Sequence, residues 1–152
     1  MGRMIRLKAI KEIPEQLVNS FMQETKASEE FRLKIRRAEV KIGAFSKGKL
    51  VGFAVGVQQQ YKDGPTILDV PAIYVKSGHR REGTATKLVY RIVTEARKRG
   101  LEGIDIDRPT KNTVQMIEKE MAKWAARRKK TLNGKNVLNN LWFSIRFRRK
   151  RR

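Results

Sequence analysis

The sequence of 152 residues contains no cysteine and a single histidine, His79. Without thiols the chain has no disulfide framework, no thiolate ligand for zinc and no cysteine nucleophile. One imidazole also excludes most histidine-based metal sites and catalytic triads. We therefore expect no metal site, and any catalytic chemistry must come from other residue types.

Long apolar runs are absent as well. The longest, near residues 50–57, spans about eight residues and contains glycine, whereas a membrane-spanning helix needs about 20. The first residues alternate apolar and basic side chains instead of forming the apolar core of a signal peptide. We expect no membrane partner, and a location in the cytoplasm or on a nucleoprotein particle.

Hydrophobic residues make up 39% of the chain, which is enough for one core of two layers. We predict a single domain over residues 1–152, ending in a basic tail at about 146–152.

Acidic residues are scarce: 15 Asp and Glu face 36 Lys and Arg, so the net charge is +21. No acidic residue occurs between residues 121 and 152. This excess of charge predicts a polyanionic partner such as DNA, RNA or a nucleoprotein. The alternatives are a solvated tail and an acidic protein surface, while an anionic membrane surface is disfavoured because the basic segments lack a sustained amphipathic helix rich in exposed large apolar residues. The predicted nucleic-acid contacts are Lys123, Arg127, Lys130, Arg146, Arg148, Arg149, Lys150, Arg151 and Arg152.

No base-reading motif accompanies these cations, so binding through phosphates is expected, with log K falling by roughly 0.9 per contacted phosphate as log salt rises. Trp124 and Trp142 are also candidates for stacking on bases, but their helical and strand spacing favours core packing.

Hydrophobic periodicity predicts an α+β fold with mixed layers. Alternating side chains indicate strands at about residues 4–10, 40–46, 50–58, 67–75, 103–107 and 141–147. Helical spacing indicates helices after Pro14, after Ser28, over residues 85–96 and from Asn112. Pro71 has no N–H for a ladder, so we expect a bulge or a sheet edge at that position.

The joint between the strand of Ile73 and the helix at residues 85–96 carries the most specific signal. Here a strand ends, the chain turns, and a long helix presents free N–H groups and its positive dipole end. Gly83 allows the backbone to approach an anion, and Arg80 and Arg81 add positive charge. These features predict a phosphate-binding turn, the alternative being an ordinary strand-to-helix turn.

At these residues the sequence resembles the GNAT superfamily of acetyl-CoA-dependent N-acetyltransferases. The family pattern is Arg or Gln, two variable residues, Gly, one variable residue, then Gly or Ala, and residues 80–85 match it after a strand ending at Val75. The order of strands and helices along the whole chain agrees as well. The resemblance implies a central mixed, mostly antiparallel sheet of about six or seven strands, with helices on both faces and a splayed strand pair.

The resemblance also implies acetyl-CoA, or CoA, as the ligand. Main-chain N–H groups near residues 81–85 would hold its pyrophosphate, and the main chain of the preceding strand would contact its pantetheine arm. The reaction implied is direct attack of a neutral amine on the thioester. The implied cofactor-binding residues are Ile73, Val75, Arg80, Arg81, Glu82, Gly83, Thr84, Ala85 and Asn112.

One departure from the family concerns catalysis. The family's tyrosine acid lies in a Tyr-Glu-Lys segment, where this chain has Ile117 followed by Glu118 and Lys119. Asp69 is the only carboxylate on the central strand, so it is the candidate base, the alternative being a strand-edge carboxylate that neutralises nearby cations. His79 is expected to be structural or solvent-facing rather than a base.

We therefore predict an acetyl-CoA-dependent N-acyltransferase whose acceptor amine lies on or near a nucleic acid or nucleoprotein. The alternative is a GNAT-like protein without activity that serves as a basic nucleic-acid-binding or particle-associated structural protein.

Overall fold

The computed structural model describes residues 4–60, 62–63, 66–101, 103–107, 131–132, 135–138 and 141–146. Its strands are β1 (Ile5–Ala9), β2 (Val40–Ser46), β3 (Lys49–Gln60), β4 (Thr66–Val75), β5 (Gly103–Asp107), β6 (Thr131–Leu132), β7 (Lys135–Leu138) and β8 (Leu141–Arg146). Its helices are α1 (Glu15–Thr25), α2 (Glu29–Arg37) and α3 (Thr84–Lys98). None of these helices combines the length and the apolar character needed to cross a bilayer.

The described strands form one sheet in the order β1-β2-β3-β4-β5-β8-β7-β6. Strands β1 to β4 pair in antiparallel fashion, β5 is parallel to β4 and to β8, and β7 is antiparallel to β6 and β8. The predicted α+β class with a mixed, mostly antiparallel sheet is therefore confirmed. Strands β6 and β7 are additional to those predicted, and the described part of the chain contains eight strands in all.

Helices cover both faces of the sheet, as predicted. The apolar side of α3, including Leu88 and Ile92, packs on Val40, Ile42 and Leu68 of the sheet. On the opposite face, the apolar sides of α1 and α2 pack on β3 and β4. Each fully buried Leu or Ile side chain contributes about 1.5–3 kcal/mol, so the two clusters hold the layers together.

Strand β4 contains a bulge, where Pro71 predicted a bulge or an edge. Val55 of β3 is opposite Ala72, but Val57 is opposite Asp69, so residues 70 and 71 together face the single residue between Val55 and Val57. Because the extra residue reverses the alternation, Val70 and Val75 both pack on the α3 side of the sheet.

The bulge coincides with the end of the pairing between β4 and β5. The last paired residues are Val70 and Ile106, so residues 71–75 of β4 continue past the paired segment. Strand β5 stays paired with β8 up to Asp107. Within the described residues, pairing between the two parallel strands therefore stops before the end of β4 that leads into α3, as expected for the splayed pair that the resemblance implied.

Candidate active site

The turn between β4 and α3 is built from unusual backbone conformations. Gly78, Arg81 and Gly83 have positive φ angles of 42°, 65° and 79°. A positive φ is uncommon for a residue with a side chain, and successive turns of this kind direct N–H groups into a shared concavity. A Cβ atom built on Gly78 or Gly83 meets no atom within 4 Å, so there is open space beside both glycines.

The first turn of α3 leaves N–H groups without helical partners. The first helical hydrogen bond is donated by the N–H of Lys87 to the carbonyl of Gly83 at 3.1 Å. The N–H groups of residues 84–86 precede it, and Gly83 supplies no side-chain cap. The Thr84 hydroxyl is 2% exposed, and its oxygen has no hydrogen-bond partner among the described residues.

These features suit an anionic oxygen-rich group. The positive end of the α3 dipole and the free N–H groups supply donors, and the glycines leave room beside them. A diphosphate such as that of CoA therefore fits the residues that form this turn. Among the described residues, no three His, Cys, Asp or Glu side chains lie close enough to hold a metal ion.

The side chain of Arg80 is held by its own neighbours. Its Nε donates to the Val75 carbonyl at 2.9 Å, and its Nη2 forms an ion pair with Glu24 of α1. The guanidinium also lies 5.7 Å from the centroid of the Tyr74 ring, within the range of a cation–π contact. These contacts tie the turn to β4 and α1, and a direct contact of Arg80 with phosphate stays a prediction.

Glu24 and Tyr74 complete this cluster. The Tyr74 hydroxyl donates to Glu24 Oε1 at 2.8 Å. Hydrogen bonds from Arg80 and then from Tyr74 hold the pKa of Glu24 below its usual value. Burial, and next the bond to Glu24, raise the pKa of Tyr74. The sequence pattern did not point to Glu24, because it lies on a surface helix 56 residues before Arg80.

The main chain at the end of β4 faces the separated strands. The N–H of Lys76 donates to the Val51 carbonyl of β3 at 2.8 Å. Hydrogen bonding alternates along an antiparallel ladder, so the main-chain groups of Ile73 and Val75 face away from β3, on the side of β5. The Val75 carbonyl is taken by Arg80, which leaves the Val75 N–H and the Ile73 groups on that side.

Two carboxylates lie next to each other on the sheet. Asp69 and Asp105 are register partners on β4 and β5, and they are 7% and 2% exposed. Both lie on the face opposite α3, since Ile104 and Ile106 occupy the α3 face. Asp69 precedes the bulge, in the paired segment rather than the separated one. Its role as a base stays a prediction, and Asp105 was a missed candidate whose only signal was its alternation with two buried isoleucines.

Of the remaining predicted residues, some lie in the turn, one lies in β8, and the others lie outside the described residues. His79 is partly buried in the turn, and its N–H donates to the Lys76 carbonyl at 3.0 Å. Glu82 is exposed in the same turn, and Ala85 packs against the core beneath α3. Arg146 ends strand β8. Outside the described residues lie Asn112, Ile117, Lys123, Trp124, Arg127, Lys130, Arg148, Arg149, Lys150, Arg151 and Arg152.

Solved structures with a similar fold include several acetyltransferases. A ribosomal-protein-alanine N-acetyltransferase from Brucella melitensis biovar Abortus 2308 is 21% identical, with 77% of this chain and 90% of that chain covered and a TM-score of 0.60. A predicted acetyltransferase from Clostridium acetobutylicum, solved with acetyl-CoA, is 16% identical, with 77% and 88% covered and a TM-score of 0.59. An aminoglycoside acetyltransferase from an uncultured soil metagenomic sample, solved with sisomicin, is 13% identical, with 85% and 93% covered and a TM-score of 0.57.

At these identities the structural similarities establish the fold alone. No curated protein sequence matches this chain significantly. The model of the acetyltransferase (GNAT) family matches residues 8–122, which include the end of β1, strands β2 to β5, the three described helices and the glycine turn. The chain therefore belongs to the GNAT family of acetyltransferases, whose acetyl donor is acetyl-CoA.

Proposed function

We propose that this acetyltransferase transfers an acetyl group to an amine that is carried on, or held next to, a nucleic acid or a nucleoprotein. The observation that carries the donor side of the proposal is the open backbone at Gly83, which leads into the free N–H groups of α3. The observation that carries the acceptor side is the net charge of +21.

Each part of the site has a distinct task in this proposal. The N–H groups at residues 81–86 hold the pyrophosphate, and Arg80 fixes the turn through Val75 and Glu24. Main-chain groups of Ile73 and Val75 orient the pantetheine arm between the separated strands. Acetyl-CoA supplies an activated thioester, and Asp69 accepts the proton that the attacking amine releases. Asn112 is proposed as a further contact to the donor.

The net charge of the protein indicates the class of acceptor. Aminoglycosides carry several ammonium groups, so a protein with a large positive net charge repels them. A polyanion is attracted instead, and it can deliver an amine that is attached to it or bound on it. The fold shared with a ribosomal-protein-alanine N-acetyltransferase supports an acceptor on a nucleoprotein, because ribosomal proteins are bound to RNA.

The donor side is tested by comparing two glycine substitutions with matched backbone cost. Gly83 and Gly100 flank α3, have φ angles of 79° and 68°, and both face open space. Gly83→Ala and Gly100→Ala should each lose about 1–2 kcal/mol of stability from the left-handed backbone. Only Gly83→Ala places a methyl group against the diphosphate, so it should weaken acetyl-CoA binding at least about tenfold, through loss of charged hydrogen bonds.

Isothermal titration calorimetry measures the binding, and thermal unfolding measures the stability. Equal affinities of both variants for acetyl-CoA would show that the diphosphate does not lie at Gly83. The acceptor side is tested by following acetyl transfer to ribosomal particles and to free peptide amines, with faster transfer expected on the particles.

A second candidate follows from Ile117, which stands where the family has its tyrosine acid. In this alternative, the protein retains donor binding or nucleic-acid binding but transfers no acetyl group. Loss of a general acid costs about 10²–10⁴ in rate, so slow transfer is compatible with the first proposal. Tight binding of acetyl-CoA without transfer to any amine would favour the second.

A further inference from the structure

A cleft of about 430 Å³ lies at the β1 side of the sheet, away from the acetyl-CoA site. Strands β2 and β3 separate it from β4. Helices α1 and α2 pack over β3 and β4 on the same face and leave this corner open. The cleft is lined by Met4, Arg6, Lys8, Phe45, Lys47 and Gly48.

The charge of this cleft is positive and is not neutralised nearby. Residues 4–11 and 40–60 contain β1, β2 and β3, and no Asp or Glu occurs in either segment. The ion pairs in the part of the chain that the structure describes do not involve Arg6, Lys8 or Lys47. Three exposed cations therefore converge on one concave surface and form no ion pair with any residue that the structure describes.

An aromatic ring lies between these cations. Phe45 is half-buried and is the register partner of Arg6, so the two side chains share a face. A Cβ atom on Gly43 would come within 3.0 Å of Phe45 Cε2, which shows that the ring edge lies over this glycine. The Lys8 Nζ is 5.6 Å from the ring centroid. The cleft thus combines phosphate-binding cations with a stacking surface.

We propose that this cleft binds a single-stranded polynucleotide, with Arg6, Lys8 and Lys47 on successive phosphates and Phe45 against an unstacked base. Cations that follow the backbone and aromatic rings that receive bases are the two components of single-strand binding surfaces. A duplex keeps its bases stacked inside, so it has no base to place on Phe45. The volume of the cleft lies within the range of sites for small ligands and is suited to a nucleotide unit.

A different role for the same cations is protection of the sheet edge. β1 pairs only with β2 among the described strands, and lysine or arginine on an edge strand discourages pairing with another chain. That role does not require Phe45, and it does not require the cations to surround a cleft. It predicts self-association, not loss of nucleic-acid binding, when the cations are removed.

The test compares two triple variants of the full-length protein that remove the same charge. Arg6→Gln, Lys8→Gln and Lys47→Asn remove the cations of the cleft. Lys26→Asn, Arg37→Gln and Lys98→Gln remove three exposed cations elsewhere. Lys26 and Lys47 have φ angles of 54° and 51°, where asparagine is well tolerated. The two variants should therefore also have similar backbone contributions to the free energy of unfolding.

Binding is measured by fluorescence anisotropy with labelled oligothymidine, oligouridine and a DNA duplex of equal length, over a range of KCl concentrations. A single strand releases about 0.7 counterions per neutralised phosphate, so the cleft variant should reduce the salt slope by about 2. Its affinity at physiological salt should fall at least about tenfold, and the control variant should change much less. Phe45→Leu should weaken single-strand binding about tenfold and leave the salt slope unchanged.

Equal losses of affinity in both triple variants would show that binding depends on net charge and not on the cleft. Tighter binding of the duplex than of the single strands would overturn the single-strand assignment. Self-association of the cleft variant with unchanged oligonucleotide binding would leave edge protection as its only role. If the triple variant fails to fold, Lys47→Asn in the β2–β3 turn replaces it, with a slope change of about 0.7.

The proposal does not rest on acetyl transfer. The cleft variants should bind acetyl-CoA with unchanged affinity in calorimetry, so a failure of donor binding and a failure of polynucleotide binding are separate results. The relative affinities for oligothymidine and oligouridine distinguish DNA from RNA as the strand that the cleft prefers.

Discussion

Glu24, Tyr74 and Arg80 join three elements, because Glu24 belongs to α1, Tyr74 to β4 and Arg80 to the glycine turn. The turn therefore depends on a helix from the opposite face of the sheet. In this arrangement Arg80 is a positioning residue, since its described partners are protein groups. Disturbing Glu24 should alter the turn without touching the donor.

Replacing Glu24 by Gln should lower stability at neutral pH. Hydrogen bonds from Arg80 and Tyr74 hold the folded-state pKa of Glu24 below 4.5, so its ionised form stabilises the fold above that pH. This stabilisation is lost as the pH falls through the folded pKa. The stability difference between wild type and Glu24→Gln should therefore shrink below about pH 4.5.

Urea denaturation at a series of pH values measures this difference. Tyr74→Phe is the companion variant, because it removes one of the two donors and keeps the ring that packs near Phe21 and Phe53. The stability of this variant should still fall in part as the pH is lowered, because the hydrogen bond from Arg80 to Glu24 remains. A constant difference between wild type and Glu24→Gln from pH 3 to pH 7 would contradict the assigned pKa shift.

At the residue scale, the sequence predicted what a local motif contains and missed what depends on distant neighbours. Gly83 and Arg80 were found because their spacing is local. The partner of Arg80 is 56 residues away, and the partner of Asp69 on β5 is set by the strand register. Neither pairing can be derived from spacing along the chain.

At the scale of elements, the contact between β3 and β4 positions the site. Two glycines of β3 lie against β4 and have different neighbours. A Cβ atom on Gly52 would lie 2.7 Å from the Tyr74 carbonyl oxygen, a main-chain atom beside the site. A Cβ atom on Gly56 would lie 2.7 Å from both Cγ and Cδ1 of Leu68, a buried side chain that must move to admit it.

Alanine at these positions should therefore have different consequences. Gly56→Ala should lose about 1–3 kcal/mol, as overpacked core sites do, and should bind acetyl-CoA normally. Gly52→Ala should lose at least as much, and should also weaken acetyl-CoA binding because β4 must shift at Tyr74 and Val75. Thermal unfolding and calorimetry on both variants check this, and normal donor binding by a destabilised Gly52→Ala would contradict it.

Strand β1 was predicted from its alternation of core-facing and exposed side chains, whereas β4 is buried on both faces and was predicted from its apolar run and the turn before it. The bulge was predicted because Pro71 lacks an N–H. The short strands β6 and β7 were missed, although Asn133 and Gly134 between them form a favoured hairpin dipeptide. They have two and four residues, too few for a period to be recognised.

At the scale of the whole molecule, the dominant feature is charge. The acidic residues of the described ion pairs lie on α1, α2 and α3, where they pair with Arg32, Arg36, Arg80 and Arg91. Among the other cations, Arg6, Lys8 and Lys47 lie on β1 and the β2–β3 turn, and twelve more follow in residues 121–152 of the sequence. A polynucleotide that contacts both regions would be bound at two points, and its avidity would exceed that of either.

The same excess charge should make the folded state sensitive to salt. With a net charge of +21, self-repulsion destabilises the compact state, and about 0.1 M salt reduces the screening length to about 10 Å. Raising KCl should therefore raise the melting temperature. An increase of about 1 kcal/mol in the free energy of unfolding corresponds to about 2–4 °C for a chain of this length.

Differential scanning calorimetry at neutral pH and increasing KCl measures this effect. Both triple variants with three fewer cations should show a smaller increase than wild type, because less repulsion remains to be screened. Oligothymidine at low salt should raise the melting temperature of the wild type, since a ligand stabilises the state that binds it. The control variant at Lys26, Arg37 and Lys98 should show a similar increase, and the cleft variant should show a smaller one. A melting temperature independent of KCl would show that the cations are too dispersed to repel one another in the fold.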